Sequence, residues 1–165
     1  MSEPLAVRAA RVDELTEVGA LTVAAYRADG FVAEGHPYAA RLADAATRHR
    51  EAELLVAADH TDRLLGTVTV VQPGTPYANV SGPDELEFRM LAVHPDARGR
   101  GVGRALVGTV LERARTGGYR GVALSSADEM RSAHELYRRL GFRRAPERDW
   151  RPNEGALLWV FVLDL

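Results

Sequence analysis

Apolar and polar residues recur along this chain with two periods, and these periods predict most of its secondary structure. Residues 5–9 are short and apolar enough for a strand, and apolar residues then recur at helical spacing through residues 12–27, with Asp13 as the predicted N-cap. Residues 28–37 contain two glycines and a proline, which interrupt the helical pattern. A second helix is predicted over residues 37–49, with Pro37 in its first turn.

The middle of the chain predicts a hairpin and then a longer strand. Residues 53–58 and 64–71 are rich in aliphatic and β-branched side chains and flank a polar turn, which favours a β-hairpin. After a loop that contains three prolines, residues 85–93 form a predicted central strand. Charged and apolar side chains alternate in its first half, so Glu85, Glu87 and Arg89 are expected on one face.

The remainder of the chain predicts two helices that alternate with strands. One helix follows Gly101 and ends at two consecutive glycines, and another covers residues 133–140 and is closed by Gly141. Strands are predicted at residues 121–126, 142–150 and 156–163. The order β, α, α, β, β, β, α, β, α, β, β predicts a mixed α/β fold with helices on both faces of a largely antiparallel sheet. The strands that flank the helix after Gly101 are the predicted parallel pair.

Composition narrows the class of protein. The chain has 165 residues, 46% of them hydrophobic, without a repeat or a clear boundary, so residues 1–165 are predicted to form a single domain. The net charge is −2, which disfavours a nucleic-acid partner. The absence of cysteine excludes disulfides, thiolate metal sites and cysteine nucleophiles. All 21 basic residues are arginine, which indicates a GC-rich coding sequence and points loosely to an actinobacterial source.

The N-terminal residues and the hydropathy pattern predict a cytoplasmic protein. Glu3, Pro4 and early arginines stand where a targeting leader would have an apolar run. No apolar stretch approaches the 18 residues that a membrane-spanning helix requires. No membrane association is therefore expected.

The most informative segment lies between the central strand and the next helix. It reads RGRGVG over residues 98–103. Free N–H groups at a helix start, glycines without a Cβ atom and nearby arginines together form a receptor for phosphate oxygens, and a diphosphate is its natural occupant. The chain has no lysine for a P-loop, and Arg104 or Leu106 stands where a dinucleotide fingerprint needs its third glycine. For an isolated Gly-x-Gly, a tight turn with solvated arginines is the simpler interpretation.

The surrounding residues resemble the GCN5-related N-acetyltransferase (GNAT) family. Residues 87–106 (EFRMLAVHPDARGRGVGRAL) are similar to its signature, in which R/Q-x-x-G-x-G/A joins a strand to a helix. Residues 133–142 (AHELYRRLGF) resemble its later A-x-x-L-Y-x-x-x-G-F segment. The resemblance covers essentially the whole chain and implies the GNAT fold. It also implies an acetyl-CoA-dependent N-acetyltransferase that acetylates a primary amine of a small molecule or peptide.

The resemblance also implies how coenzyme A is held. Main-chain groups of the strand end would pair with the pantetheine arm as an added strand does, and the turn would hold the pyrophosphate. The strand-end positions are Leu91, Ala92 and Val93, and the turn positions are Arg98, Gly99, Arg100, Gly101, Val102, Gly103 and Arg104. Many relatives carry an asparagine that contacts the cofactor where this chain has Met130. Ser125, Ser126 or Asp128 could replace it, or no replacement is needed.

Acetyl transfer from a thioester to an amine requires a neutral amine and a proton for the leaving sulfur. Tyr137 matches the family position of the acid that protonates the thiolate, although it also lies on an apolar helical stripe and alone would be a core aromatic. Glu87, Glu85 or water is the candidate base, and the alternative is that both carboxylates form the solvated face of a strand. His134 faces away from the Leu136 and Leu140 stripe and is expected to be exposed. No histidine shows metal-ligand spacing with acidic partners, so no metal is predicted.

The acceptor side of the reaction is less defined. The irregular segments 28–37 and 146–155, with Phe31, Tyr38 and Trp150 in or beside them, are expected to border the acceptor pocket. A catalytically weak acyl-CoA-binding sensor and a nucleotide-binding protein are the alternative functions. The sequence leaves open the amine, the acyl-chain preference and the oligomeric state, including a homodimer.

Overall fold

The computed structural model describes residues 4–152 and 155–165, which contain seven strands and five α-helices. The strands are β1 (Ala6–Ala9), β2 (Glu53–Ala58), β3 (Leu64–Val71), β4 (Glu85–Val93), β5 (Gly121–Ala127), β6 (Arg143–Arg144) and β7 (Leu158–Asp164). The helices are α1 (Leu15–Ala28), α2 (Tyr38–Ala43), α3 (Ala45–Glu51), α4 (Val102–Thr116) and α5 (Arg131–Arg139). Among these described residues, no helix is long and apolar enough to cross a membrane.

The strands form one sheet in the order β1-β2-β3-β4-β5-β7-β6. Strand β2 pairs antiparallel with β1 and β3, and β7 pairs antiparallel with β5 and β6. Strands β4 and β5 are parallel, with Glu85 opposite Gly121 and Glu87 opposite Ala123. Because parallel neighbours require a crossover connection, α4 between them accounts for this arrangement. The predicted mixed α/β fold and its parallel pair are confirmed.

Two compact units make up the chain. The N-terminal unit contains the described residues up to Val70 together with Met90–Thr109, and the C-terminal unit contains Val71–Arg89 and the described residues from Val110 onward. In the N-terminal unit, Val18 and Leu21 of α1 belong to one buried cluster with Leu54 and Val56 of β2. In the C-terminal unit, buried Ala123, Val160 and Val162 form a cluster with Val80 and Trp150 packed against it. The single domain over residues 1–165 stays a prediction.

The second helix predicted over residues 37–49 is two helices, which corrects the prediction. Asp44 has φ −84° and ψ 67°, outside the helical region, and it separates α2 from α3. Its carboxylate accepts hydrogen bonds from the N–H of Thr47 at 3.1 Å and from the Thr47 hydroxyl at 2.7 Å. An aspartate N-cap of this kind satisfies a helix donor that has no carbonyl partner, so a new helix starts here.

Three other predicted boundaries shift. The strand expected over residues 142–150 is reduced to β6, because Pro146 has no N–H to donate and begins a 3₁₀ turn, Pro146–Arg148. The strand predicted at 156–163 begins at Leu158. Asp13 lies within the 3₁₀ turn Val12–Glu14, and α1 begins at Leu15 without a side-chain cap hydrogen bond, so the predicted N-cap is wrong.

Candidate active site

The glycine-rich turn lies in the N-terminal unit, before α4. Gly99 and Gly101 have φ values of 76° and 79°, a conformation that residues with a side chain rarely adopt. A Cβ atom at either position would meet nothing within 4 Å, so the backbone conformation, rather than lack of space, requires glycine. The N–H of Ala105 donates to the Gly101 carbonyl at 3.0 Å. The N–H groups of residues 102–104 therefore precede the hydrogen-bond ladder of the helix and lack a carbonyl partner within it.

Arg98, predicted as a phosphate ligand, is engaged within the N-terminal unit. Its Nε donates to the Val93 carbonyl and its Nη1 to Asp29 Oδ1, both at 3.0 Å. Its Nη2 lies 3.4 Å from the Ala25 carbonyl. Arg98 thus fastens the turn to the end of β4 and to the C-terminus of α1, and Asp29 partly neutralises its charge. Arg104 is exposed.

Tyr137 lies on α5 in the C-terminal unit and is 4% exposed. Its ring contacts Phe88, Phe142 and Phe161, with centroids 5.7–5.9 Å apart. Burial raises the pKa of its hydroxyl well above the ordinary value. Within residues 4–152 and 155–165 this hydroxyl makes no hydrogen bond. The ring is therefore part of the buried core of the C-terminal unit.

Glu87 does not belong to a solvated face. It is fully buried, and its carboxylate accepts hydrogen bonds from three consecutive main-chain N–H groups. Oε1 accepts from Asn79 at 3.0 Å and from Val80 and Ser81 at 3.1 Å, and Oε2 accepts from Asn79 at 3.2 Å. The side chain anchors the segment before β4, and we call residues 77–82 the strap.

Glu85 and Arg89, the polar neighbours of Glu87 on β4, also bind the strap. Oε1 of Glu85 accepts from the N–H of Gly82 at 2.8 Å, and Arg89 donates to the Tyr77 carbonyl at 3.1 Å. Arg148 donates to both carboxylate oxygens of Glu85, at 2.6 and 3.0 Å, and also to the Val80 carbonyl of the strap. The hydrogen bond from Arg148 lowers the pKa of Glu85. The charged face of β4 is thus covered by main chain.

The exposure predicted for His134 is wrong, because this side chain is 3% exposed. The buried face of α5 is centred on His134 and Tyr137, which are three residues apart and therefore neighbours on the helix, whereas Leu136 and Leu140 are half-buried. The His134 ring stacks on Trp159 at 5.5 Å and contacts Phe161 at 4.9 Å. Burial lowers the pKa of His134, which favours the neutral ring.

Ser126 is the hydrogen-bond partner of this histidine. Its Oγ lies 3.1 Å from Nε2 of His134 and 3.4 Å from Sδ of Met130. Of the three residues considered as replacements for the family asparagine, Ser126 is thus in contact with the side chain at position 130. No sequence pattern indicates the Ser126–His134 pair, because the two residues lie on different elements and neither belongs to the family pattern.

The segments expected to border the acceptor pocket are described only in part. In the N-terminal unit, Phe31 and Tyr38 both contact the ring of Tyr26, at 6.4 and 6.5 Å. In the C-terminal unit, Trp150 and Val80 of the strap both pack against the buried cluster that contains Val160. Residues 153–154 of the predicted segment 146–155 lie outside the described residues. Across the part of the chain that the structure describes, no group of three or more His, Cys, Asp or Glu side chains could hold a metal ion.

Comparison with known proteins identifies the family to which this chain belongs. The model of the acetyltransferase (GNAT) family matches residues 20–142. This chain belongs to that family. It is similar to mycothiol acetyltransferase from Cellulomonas flavigena, with 37% identity over 117 residues that cover 66% of this chain and 34% of that protein. The first curated relatives are longer, and the matched segments span only 29–44% of their lengths.

Solved structures confirm the predicted GNAT fold. An acetyltransferase of the GNAT family from Staphylococcus aureus Mu50 superposes with a TM-score of 0.76 and 14% identity, covering 98% of this chain and 99% of that one. A GNAT family acetyltransferase from Brucella melitensis, solved in complex with acetyl-CoA, superposes with a TM-score of 0.65 and 22% identity, covering 99% and 89% of the two chains.

Proposed function

We propose that this chain is an acetyl-CoA-dependent N-acetyltransferase that moves an acetyl group to a primary amine of a small molecule or peptide. One observation carries the proposal beyond family membership. In the family-matched region, Gly99 and Gly101 adopt left-handed conformations directly before a helix whose first N–H groups lack carbonyl partners within the helix. Backbone of this kind favours phosphate oxygens, as the diphosphate of coenzyme A requires.

The cofactor-binding residues are proposed from the same unit. The N–H groups of residues 99–104 are proposed to hold the diphosphate, with Arg100 and Arg104 adding positive charge. Arg98 is proposed to act indirectly, since its guanidinium holds the turn on β4 and α1. The main chain of Leu91, Ala92 and Val93 is proposed to pair with the amide-rich pantetheine arm.

Tyr137 is proposed as the acid of the reaction. Acetyl-CoA supplies an acyl carbon activated as a thioester. When the amine nitrogen bonds to that carbon and the carbon–sulfur bond breaks, the Tyr137 hydroxyl is proposed to give its proton to the sulfur, and the proton that the nitrogen loses is proposed to return to the tyrosinate, directly or through water. Its raised pKa makes it a weaker acid than an exposed tyrosine, so the proton is proposed to move only as negative charge develops on the sulfur.

One observation favours a second candidate, a catalytically weak acyl-CoA sensor. Both predicted bases, Glu85 and Glu87, are occupied by hydrogen bonds to the strap and Arg148. Incubation of the purified chain with acetyl-CoA and a panel of amines, with release of free thiol and product mass as readouts, separates the candidates. Amine-dependent thiol release confirms the transferase. Coenzyme A binding by calorimetry without transfer to any amine supports the sensor, and absence of binding contradicts both.

Other features remain proposals from composition and pattern. A cytoplasmic location, an actinobacterial source and a single domain over residues 1–165 are consistent with the sequence. The binding partners proposed are acetyl-CoA and an amine, and sedimentation of the purified chain distinguishes a monomer from a homodimer.

A further inference from the structure

The Tyr137 hydroxyl depends on α5 for its position. Its ring is held by packing against aromatic side chains, and among the described residues its hydroxyl has no hydrogen-bond partner. A proton is transferred only within hydrogen-bond reach, and a displacement of about 1 Å can lower a rate by about 10²-fold. The contacts that place α5 therefore determine where this hydroxyl lies.

Helix α5 is short and begins without a side-chain cap. It has nine residues, and its N-cap residue, Met130, makes no side-chain cap hydrogen bond. Isolated helices shorter than about 12–15 residues are marginally stable in water, so tertiary contacts have to hold this helix in place. The preceding strand, β5, ends at Ala127, and only residues 128–130 separate it from the helix.

His134 joins α5 to the C-terminal end of β5. Its Nε2 lies 3.1 Å from the Ser126 hydroxyl oxygen, and the ring forms a second hydrogen bond with the main chain of Ala127. Both His134 and Ser126 are buried, so water competes little for these bonds. In the described part of the chain, no other side chain of α5 forms a hydrogen bond with β5. His134 is thus the polar contact that fixes the helix on the strand.

The surroundings of His134 keep its ring neutral. Burial is the largest effect that lowers its pKa. Three guanidiniums on α5 and β6 also oppose a positive ring, those of Arg131, Arg138 and Arg144. Asp149 partly balances Arg144, and the Ala127 hydrogen bond favours the proton, but burial outweighs them. A neutral imidazole has one donor and one acceptor nitrogen, so it can serve both partners on β5.

Neighbouring aromatic rings hold the His134 ring in place. It stacks on Trp159 at 5.5 Å and contacts Phe161 at 4.9 Å. The Arg144 guanidinium lies 4.4 Å from the centroid of Trp159, and Asp149 accepts hydrogen bonds from Arg144 at 2.7 and 2.9 Å. Because these partners belong to β7, β6 and the segment between them, the ring has little freedom to move.

His134 and Tyr137 are neighbours on α5. They are three residues apart and therefore lie on the same face of the helix. Both rings also contact Phe161, His134 at 4.9 Å and Tyr137 at 5.7 Å. A shift of His134 is therefore transmitted to Tyr137 along the helix and through a shared, closely packed neighbour.

We infer that His134 is a positioning residue for acetyl transfer, which fixes α5 on β5 and thereby sets where the Tyr137 hydroxyl delivers its proton. The inference rests on the proposed acid role of Tyr137. It gives His134 no contact with the acetyl group and no proton to donate or accept in the reaction. Loss of the His134 hydrogen bonds should therefore lower kcat only while the Tyr137 hydroxyl is present.

A double-mutant cycle on kcat tests the inference. His134→Phe keeps a buried ring and removes both hydrogen bonds, and Tyr137→Phe removes only the hydroxyl. With the best amine of the panel and saturating acetyl-CoA, we expect His134→Phe to lower kcat about tenfold in the wild-type chain and less than about twofold in the Tyr137→Phe chain. An equal loss in both chains, or no loss in the wild-type chain, would overturn the inference and leave the proposed function intact. Full activity of Tyr137→Phe would overturn the acid role and the inference with it.

Ser126→Ala gives the same cycle with a smaller change to the core. It removes one of the two hydrogen bonds and leaves the His134 ring in place, so a loss of about threefold is expected, again only while the Tyr137 hydroxyl is present. Glu135→Gln, at an exposed position of the same helix, is the matched control and should keep the wild-type kcat. A threefold loss that persists in the Tyr137→Phe chain would contradict the inference.

The leaving thiol supplies a readout that general damage to the core would not change. A more acidic thiol needs less help from a proton donor, so the defect of His134→Phe should shrink with such an acetyl thioester, as the defect of Tyr137→Phe should. His134→Gln, whose amide keeps a donor and an acceptor, should retain more activity than His134→Phe. A defect of equal size with every thioester, or the reverse order of the two variants, would overturn the positioning role.

Discussion

The charged face of β4 and the glycine-rich turn that follows β4 along the chain are both polar regions, yet they use their polar groups in opposite ways. At the start of α4, the N–H groups of residues 102–104 precede the helical hydrogen-bond ladder. On β4, the side chains of Glu85, Glu87 and Arg89 all form hydrogen bonds with the main chain of the strap. The N–H groups of residues 102–104 are proposed to bind a ligand, whereas the polar side chains of the β4 face already form hydrogen bonds that hold the strap.

This difference shows that a charged residue next to a predicted site is not thereby available to a substrate. Arg98 illustrates the same point within the turn itself, since Asp29 and two carbonyls occupy its guanidinium. Whether a charged side chain can bind a substrate depends on its hydrogen-bond partners in the fold, which are often distant in sequence. Four experiments test the contrast between polar groups that are hydrogen-bonded within the fold and polar groups that are proposed to act on a ligand.

Loss of the Glu87 carboxylate should give the largest effect. Glu87→Gln replaces a buried charged acceptor of three N–H groups with a neutral amide that has one acceptor oxygen, and hydrogen bonds to charged groups contribute about 1.5–3 kcal/mol each. We expect the free energy of unfolding in urea to fall by about 3 kcal/mol. Glu135→Gln, at an exposed position on α5, should change it by less than about 0.5 kcal/mol. Equal stability of the two variants would show that Glu87 is not an anchor.

The sequence predicted the turn well because its determinants are local. The apolar period after Gly101 predicted α4, whereas the left-handed conformations of Gly99 and Gly101 are a finding of the structure. The pairing of Glu85 with Arg148 spans 63 positions, and no local pattern encodes it. The exposure predicted for His134 is wrong because the leucine spacing alone does not define the buried face of α5, which also accommodates an imidazole that has Ser126 as a partner.

Tyr137→Phe tests the proposed acid role of the Tyr137 hydroxyl. The ring that packs on Phe88, Phe142 and Phe161 is retained, so the stability and the affinity for acetyl-CoA should change little. The rate of transfer should fall on the order of 10²-fold, or about 2.7 kcal/mol in activation free energy. The defect should shrink with an acetyl thioester whose thiol is more acidic. Full activity, or the same defect with every thioester, would contradict the acid role.

Gly103→Val tests the available N–H groups of the turn. The added side chain at the half-buried first turn of α4 is expected to obstruct a diphosphate, and the Kd for coenzyme A should rise at least about tenfold, or about 1.4 kcal/mol. Gly108→Val is the matched control, because it makes the same change in the same helix at a position with nothing within 4 Å of a Cβ atom. Calorimetry on both variants measures the difference. Equal affinities would contradict the phosphate role.

The smallest effect is expected for His134, which is hydrogen-bonded within the fold and whose contribution to stability depends on pH. Burial lowers its pKa below the ordinary value of 6.5, so below pH 6.5 the unfolded chain binds a proton that the folded chain resists. The stability that the neutral ring contributes is present above pH 6.5 and is lost as the pH falls toward the folded pKa. His134→Gln should therefore flatten the fall in unfolding free energy between pH 7.5 and 5, and His134→Phe, which keeps the stacking on Trp159, should do the same. His60→Gln, at an exposed turn, should leave that slope unchanged. A wild-type slope in both His134 variants would mean that folding does not change the pKa of this ring.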